Sequence, residues 1–141
     1  MKLWKHCLWV GALTLLVLGC SKIDKILPRQ DGLWNVVNLN TITYVDDSLV
    51  SNTDETDSLG RYYFDKQGIG YLEDALGERS DFTWEVNEEN DWVTLTDTSG
   101  AATVMEVVES SNKEQVWTTS LYQDNQGVIT RRDITATLNR E

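Results

Sequence analysis

The segment Ser80-Asp81-Phe82-Thr83-Trp84-Glu85-Val86-Asn87 decides the fold class, because large apolar and polar side chains alternate along it. A period of two residues puts Phe82, Trp84 and Val86 on one face of a β-strand. A second run of this kind, Trp92-Val93-Thr94-Leu95, follows after a short polar turn. Two such runs joined by a short turn predict a β-hairpin.

The chain around this hairpin has the same character from Gly32 to Leu138, with β-branched and aromatic runs separated by Gly, Asn, Asp and Ser clusters. Short connections favour hairpins between successive strands. The predicted fold class is therefore all-β, an eight-stranded antiparallel up-and-down barrel without exposed edges, and a two-sheet sandwich is the alternative. The eight predicted strands are Leu33–Tyr44, Arg61–Lys66, Ile69–Asp74, Ser80–Asn87, Asp91–Asp97, Ala101–Val108, Gln115–Tyr122 and Gly127–Leu138.

The connection Val45–Gly60 differs from the others because it is long and acidic. It contains five carboxylates and few large aliphatic side chains. The carboxylates do not follow the spacing of an EF-hand calcium loop, so we predict no metal ligands there. A solvated, flexible loop between the first two strands is expected, and long loops often carry function.

Cys20 closes the run Val17-Leu18-Gly19-Cys20, directly after an apolar stretch and a basic N-terminus. The apolar stretch Leu8–Leu18 has the length of a signal-peptide core and is too short to span a membrane comfortably. The arrangement resembles the lipobox of bacterial lipoproteins. That resemblance implies cleavage before Cys20 and lipid attachment to its sulfur. An uncleaved anchor helix and an ordinary secretory signal peptide are the alternatives.

The predicted organisation has three parts. Residues 1–19 form the signal peptide as an N-terminal helix, residues 20–31 form the lipidated N-terminus and a short tether, and residues 32–141 form the barrel domain. Within the tether, Ile23, Ile26 and Leu27 suit one helical turn that Pro28 ends. By resemblance to Gram-negative lipoproteins, Ser21 after the cysteine favours the outer membrane of the bacterial cell envelope, on either its periplasmic or its exposed face.

The composition narrows the possible functions. Loss of residues 1–19 removes Lys2 and Lys5 and leaves 10 basic and 23 acidic residues, a formal charge of −13. A phosphate backbone is repelled by such a charge, so no nucleic acid partner is expected. The mature domain also contains no histidine and no free thiol, which removes the common nucleophilic triads and His/Cys zinc sites. We therefore expect neither an enzyme nor a cofactor.

The domain resembles the small lipocalin-like lipoproteins of Bacteroidetes over about residues 32–138. Gly32-Leu33-Trp34 matches the lipocalin Gly-x-Trp motif at the start of the first strand, and the hairpins around Phe82–Leu95 and Val107–Trp117 are similar to those of these domains. The resemblance implies an antiparallel barrel with either an internal cavity or a packed interior. It also implies an arginine stacked across the tryptophan at the closed end.

Barrel closure predicts which arginine this is. If the last strand pairs antiparallel with the first, Arg140 approaches Trp34, and the two form a structural pair at the closed end. Arg132 lies eight residues earlier, about 26 Å away at about 3.3 Å per residue. It is expected at the open mouth, opposite Asn40 and Ile42. An inward guanidinium there needs an anion, from a ligand or from Glu106, whereas a β-bulge would turn it to solvent.

Two functions are compatible with these residues. The first is non-catalytic binding of a small hydrophobic or amphipathic molecule by a membrane-anchored barrel. The second is a solid barrel that acts as an interaction module for an envelope protein or a glycan. The candidate ligand-binding residues are Trp34, Asn40, Trp84, Ser120 and Arg132, although packing in the core explains the tryptophans equally well.

Overall fold

The structure is a computed structural model that describes residues 23–57 and 59–140. Residues 1–22, with the predicted signal peptide and Cys20, lie outside the described residues. No helix in the described part has the length and apolarity needed to cross a membrane. The described elements are α1 (Ile23–Ile26), β1 (Leu33–Val45), β2 (Ser48–Glu55), β3 (Arg61–Phe64), β4 (Ile69–Glu73), β5 (Arg79–Asn87), β6 (Trp92–Asp97), β7 (Ala102–Ser110), β8 (Glu114–Asn125) and β9 (Val128–Asn139).

The predicted all-β, eight-stranded antiparallel barrel is confirmed. Each strand from β3 to β8 pairs antiparallel with the next strand along the chain, and β9 returns to pair with β1. The ring is completed where Leu33, Trp34 and Asn35 of β1 pair with β3. The α1 helix and the turn 111–113 lie at one end, which we call the closed end. The turns 74–78 and 98–101 lie at the other end, the mouth.

The prediction of a flexible acidic loop at Val45–Gly60 is wrong for most of its length. Ser48–Glu55 forms β2, a strand that pairs with residues 39–45 of β1. Asp46 and Asp47 make the tight turn between them, each with a positive φ, at 47° and 63°. Most side chains of this segment are polar and favour a loop. Pairing with β1 supplies its backbone with hydrogen bonds, so the tertiary contact overrides the local preference. Together, β2 and β3 form one interrupted second strand of the barrel.

Beyond the ring, the upper parts of four strands form a single-layer sheet that we call the distal wall. It consists of residues 39–45 of β1, 48–55 of β2, 119–125 of β8 and 128–135 of β9. The pairing of β8 with β7 ends at Thr118, so residues 119–125 pair with β9 alone. All eight residues of β2 are exposed. The wall rises above the mouth on one side, and neither of its edges is paired within the described residues.

Three of the hairpin turns share the pattern Asp-x-x-Gly. In each of them one aspartate oxygen accepts hydrogen bonds from the backbone N–H groups two and four residues later, at 2.8–3.0 Å. The glycine adopts a positive φ, which a side chain disfavours. The three pairs are Asp65 with Gly68 (φ 83°), Asp74 with Gly77 (84°) and Asp97 with Gly100 (88°).

The core lies in the lower half of the barrel, towards the closed end. Its fully buried side chains include Trp34, Trp117 and Phe64 from the strands, and Ile26 and Leu27 from the N-terminal segment. This part of the predicted tether is therefore packed into the barrel. The predicted helical turn at Ile23–Ile26 is present and presents its apolar side chains to the core.

Gly32 is required by a close backbone contact. Its φ is 72°, and a Cβ at this position would collide with the carbonyl oxygen of Phe64. The backbones of these two residues also share a hydrogen bond, in which the Phe64 N–H donates to the Gly32 carbonyl at 3.0 Å. The glycine of the Gly-x-Trp motif therefore allows β3 to approach the start of β1.

Gly32→Ala is expected to lower the free energy of unfolding by about 2 kcal/mol or more, because left-handed strain and a backbone collision add together. Gly100→Ala is the matched control, since its φ is 88° and no atom lies within 4 Å of its added Cβ. Urea unfolding of both variants tests the difference. Equal losses of stability would contradict the close-contact explanation.

Candidate functional site

The closed end is sealed by contacts between the two ends of the described chain. The Trp34 indole N–H donates to the Leu27 carbonyl at 2.9 Å. The guanidinium carbon of Arg140 lies 4.1 Å from the centroid of the Trp34 ring. Arg140 also donates to the carbonyls of Ile26 at 2.8 Å and Leu27 at 3.2 Å. The structure thus brings Trp34 and Arg140 together, and α1 covers the tryptophan from below.

Aromatic side chains fill the interior above this seal. The Phe64 ring lies 5.4 Å from Trp84, 5.7 Å from Phe82 and Trp117, and 5.9 Å from Tyr62, measured between ring centroids. These spacings are those of packed aromatic pairs. Trp84 therefore belongs to the packed interior, although its buried indole N–H has no hydrogen-bond partner among the described residues. Among the described residues, this cluster fills the barrel up to the level of the mouth.

A depression of about 200 Å³ lies at the mouth, above the aromatic core. We call it the mouth cup. Its floor is apolar, and polar groups such as Ser80 and Thr103 lie towards the rim. Strand alternation places the floor residues on the inner face, yet sequence reasoning did not single them out as a site. The residues of the floor are Tyr62, Leu72, Phe82, Leu95 and Met105.

Tyr62 is the titratable group in the floor of the cup, whose lining also includes the carboxylates Asp81 and Asp97. Burial raises the pKa of its phenol above the ordinary value of 10.0, because the charged phenolate is poorly solvated there. The ring lies 6.1 Å from Phe82 and 6.0 Å from Trp117, so it joins the floor to the core. At neutral pH, the cup therefore presents an uncharged phenol.

Arg132 lies on the inner face of the distal wall. The pairing of β9 with β8 shows no register shift, so Arg132 shares a face with the buried residues Ala136 and Leu138. No bulge turns it outward, and it is exposed because the wall stands above the filled part of the barrel. Its side chain forms no ion pair or hydrogen bond with any described residue. Glu106 is exposed on the opposite face of its strand and does not approach it.

The expected position of Arg132 opposite Asn40 and Ile42 is shifted. Arg132 pairs with Thr43 of β1, and Ile42 pairs with Asp133. The reason is a β-bulge between Val36 and Asn38, which adds one residue to β1.

The same bulge reverses the inward and outward positions along β1. Leu39 becomes an inner residue paired with Ala136, and Asn40 faces outward. The Asn40 side-chain amide donates to Asn52 at 2.8 Å and to Asp54 at 2.9 Å on the outside of the wall. Ser120 also faces outward, where its hydroxyl donates to Asp133 at 2.7 Å. The structure therefore does not bring Asn40 and Ser120 together with Arg132.

Two other features do not form a site. A depression of about 520 Å³ lies on the β5–β6 hairpin, but it is a groove beside a single hairpin and three of its residues are glutamates. Within residues 23–57 and 59–140, no three Asp, Glu, His or Cys side chains cluster closely enough to hold a metal ion.

Comparison of the chain with family models, with curated proteins and with solved structures finds no match. The site is therefore interpreted from its own geometry. Two features stand out, namely the apolar mouth cup and the unpaired cation on the wall beside it.

The raised pKa of Tyr62 predicts a loss of stability in alkali. Above about pH 10, the unfolded chain loses the phenolic proton more readily than the folded protein, so the free energy of unfolding falls as pH rises through the folded pKa. Tyr62→Phe should remove this part of the decline. Denaturant unfolding between about pH 8 and pH 11.5 measures it.

Tyr122→Phe, at an exposed position, controls for the loss of a phenol. If Tyr62→Phe and Tyr122→Phe show the same decline as the unmodified protein, Tyr62 does not titrate with unfolding.

Proposed function

We propose that this protein is a non-catalytic lipoprotein of the bacterial outer membrane, anchored through Cys20, whose barrel binds a small apolar or amphipathic molecule in the mouth cup. The observation that carries the binding part is the apolar floor of the cup above a sealed and filled barrel. The floor would select the ligand by shape and burial, and the polar part of the lining, Ser80, Asp81, Asp97 and Thr103, would disfavour an anionic ligand through its two carboxylates.

The anchor is supported by the lipobox-like run before Cys20 and by the position of α1. Ile23 is buried in the closed end, and only two residues separate it from Cys20. Three chain steps span at most about 11 Å. Lipid on Cys20 would thus hold the closed end against the membrane and direct the mouth away from it. The ligand would then reach the cup from the aqueous side.

Cys20→Ala is expected to abolish incorporation of radiolabelled palmitate and to release the protein from the membrane fraction. The physical reason is that acyl chains, rather than the acidic protein surface, would hold it there. Expression in a bacterium that processes lipoproteins, followed by fractionation, provides the measurement. Unlabelled wild-type protein would contradict the anchor.

The orientation has its own test, because the mature domain has no other cysteine. Single cysteines introduced as Asn112→Cys at the closed end and Ser99→Cys at the mouth provide sites for a thiol-reactive fluorescent label. With reconstituted lipoprotein, the label at residue 112 should be quenched by membrane-soluble reagents more than the label at residue 99. The reverse order would contradict a membrane-facing closed end.

The size of the cup restricts the ligand. Drug-sized ligands occupy pockets of about 300–1,000 Å³, whereas the cup has about 200 Å³. It can therefore bury one ring or a short acyl segment, and the rest of a larger molecule would extend beyond its rim. Affinity from this area alone should be modest.

A neutral fluorescent probe such as N-phenyl-1-naphthylamine is expected to bind the cup with a rise in emission. Thr103→Trp, at an exposed rim position, should fill the cup and weaken binding about tenfold, the equivalent of about 1.4 kcal/mol. Val104→Trp adds the same side chain to the outer face of the same strand and should leave binding unchanged. A wild-type protein that gives no emission change would contradict small-molecule binding.

The second candidate function is a solid barrel that contacts another envelope component. The observation that favours it is the distal wall, which is exposed on both faces in β2 and displays apolar side chains to solvent. A single sheet layer normally packs against a second layer.

A further inference from the structure

We propose that the free edge of β8, residues 120–125, is a docking site for an extended segment of another protein, which adds a strand there and pairs a glutamate with Arg132. The proposal is independent of ligand binding in the mouth cup. It concerns the far end of the molecule from the lipid anchor. Its basis is an unpaired strand edge, an unpaired cation and the difference between the two edges of the wall.

The edge is open because β7 and β8 separate. Their pairing ends at Glu106 and Thr118, and the earlier residues of β7 pair only with β6. One contact continues beyond this point, the Thr119 hydroxyl donating to the Val104 carbonyl at 2.8 Å. Within the described residues, the backbone of 120–125 has no strand partner on this side. A strand edge with unpaired N–H and C=O groups is a template for another strand.

The two edges of the wall differ in charge. The β2 edge carries Asp54 and Glu55 and follows the Asp46-Asp47 turn, and charges of this kind protect an edge strand against pairing. Residues 120–125 contain one charge, Asp124, which already accepts a hydrogen bond from the Gly127 N–H at 2.8 Å. Leu121 and Tyr122 on this edge are 45% and 68% exposed. The β8 edge is therefore the one suited to pairing.

Two adjacent arginines of β9 differ in their contacts, because only one of them has an ionic or aromatic partner among the described residues. Arg131, on the outer face, lies 4.1 Å from the Tyr44 ring centroid and 3.3 Å from the Asp133 carboxylate. Arg132, on the inner face, has no such partner in the described chain and lines a depression of about 300 Å³ with Leu121, Gln123 and Thr130. An exposed guanidinium beside Leu121 is able to bind a carboxylate, although water weakens such a pair.

The geometry selects a glutamate side chain as that carboxylate. Arg132 pairs directly with Leu121 across β9 and β8. A strand added to β8 would lie about 4.8 Å beyond it and therefore about 10 Å from β9. The long arginine and glutamate side chains together span that distance on the inner face, whereas a main-chain terminus would lie in the plane of the sheet.

A second copy of this chain fits the edge less well. Two β8 edges paired with each other would place Leu121 and Gln123 on the inner face, so no carboxylate would meet Arg132. Two chains that each carry a net charge of −11 also repel one another. The occupant is therefore a segment of a different protein, rich in uncharged β-branched residues and carrying one glutamate.

The test uses two capped nine-residue peptides of alternating threonine and valine, one with a central glutamate and one with glutamine in its place. Fluorescence anisotropy measures their affinity for the protein. The glutamate peptide should bind about fivefold tighter, as for a partly exposed charge pair. Arg132→Gln should remove this preference, while Arg131→Gln, the neighbouring arginine, should keep it. Arg132→Glu should instead favour a lysine peptide.

Docking at the β8 edge has its own control. Leu121→Lys should weaken both peptides, and Leu49→Lys, an exposed leucine on the opposite edge, should weaken neither. Equal effects of the two lysines, equal affinity of the two peptides for wild type, or no binding at millimolar concentration would overturn the proposal. So would a dimer that Leu121→Lys dissociates, since a second copy would then occupy the edge.

Peptide binding at the β8 edge and probe binding in the cup can be measured separately on the same variant. Leu121→Lys should leave the affinity for the neutral apolar probe unchanged, because the cup is lined by β3–β7. If Leu121→Lys abolished probe binding and peptide binding together, the two sites would be one, which would overturn an edge site separate from the cup.

Discussion

The carbonyl group of Leu27 joins the two ends of the barrel domain. It accepts hydrogen bonds from the Trp34 indole at 2.9 Å and from the Arg140 guanidinium at 3.2 Å, while that guanidinium stacks on the indole ring. A buried hydrogen bond contributes about 1 kcal/mol, and a cation–π contact adds about 0.5–2 kcal/mol. The larger effect is geometric, because these contacts fix where β9 meets β1 and seal the barrel beneath its core.

The seal makes the two ends of the molecule different. The closed end is filled with apolar side chains from Leu27 up to the aromatic cluster around Phe64. Strands at the mouth separate above Thr118, which leaves a shallow cup and a single-layer wall. In the proposed function, binding would be concentrated at the mouth, and an anchor three residues before Ile23 would place that end away from the membrane. Stability and binding would then depend on separate halves of the barrel.

The strands with strong alternation were predictable, as was the meeting of Trp34 with Arg140, because hairpin connectivity and barrel closure determine both. The strand β2 was missed because its polar and acidic residues favour loops, and only pairing with β1 makes it a strand. The position of Asn40 was misjudged for a different reason. One bulge between Val36 and Asn38 exchanges the two faces of β1, and no residue pattern in that segment indicates an insertion. The residues of the cup floor follow the apolar–polar alternation of their strands in the sequence. Whether they line a depression depends on how far the packed core extends towards the mouth, which the sequence does not indicate.

The most direct test of the sealed barrel is hydrogen exchange of the tryptophan indoles, measured by NMR. The account predicts that the Trp34 indole N–H exchanges only when the whole domain unfolds, since it is fully buried and bonded to Leu27. The indole of Trp92, which is 43% exposed, should exchange rapidly in the same sample. A Trp34 signal that disappears as fast as that of Trp92 would show that the N-terminal segment opens readily, and it would contradict the account.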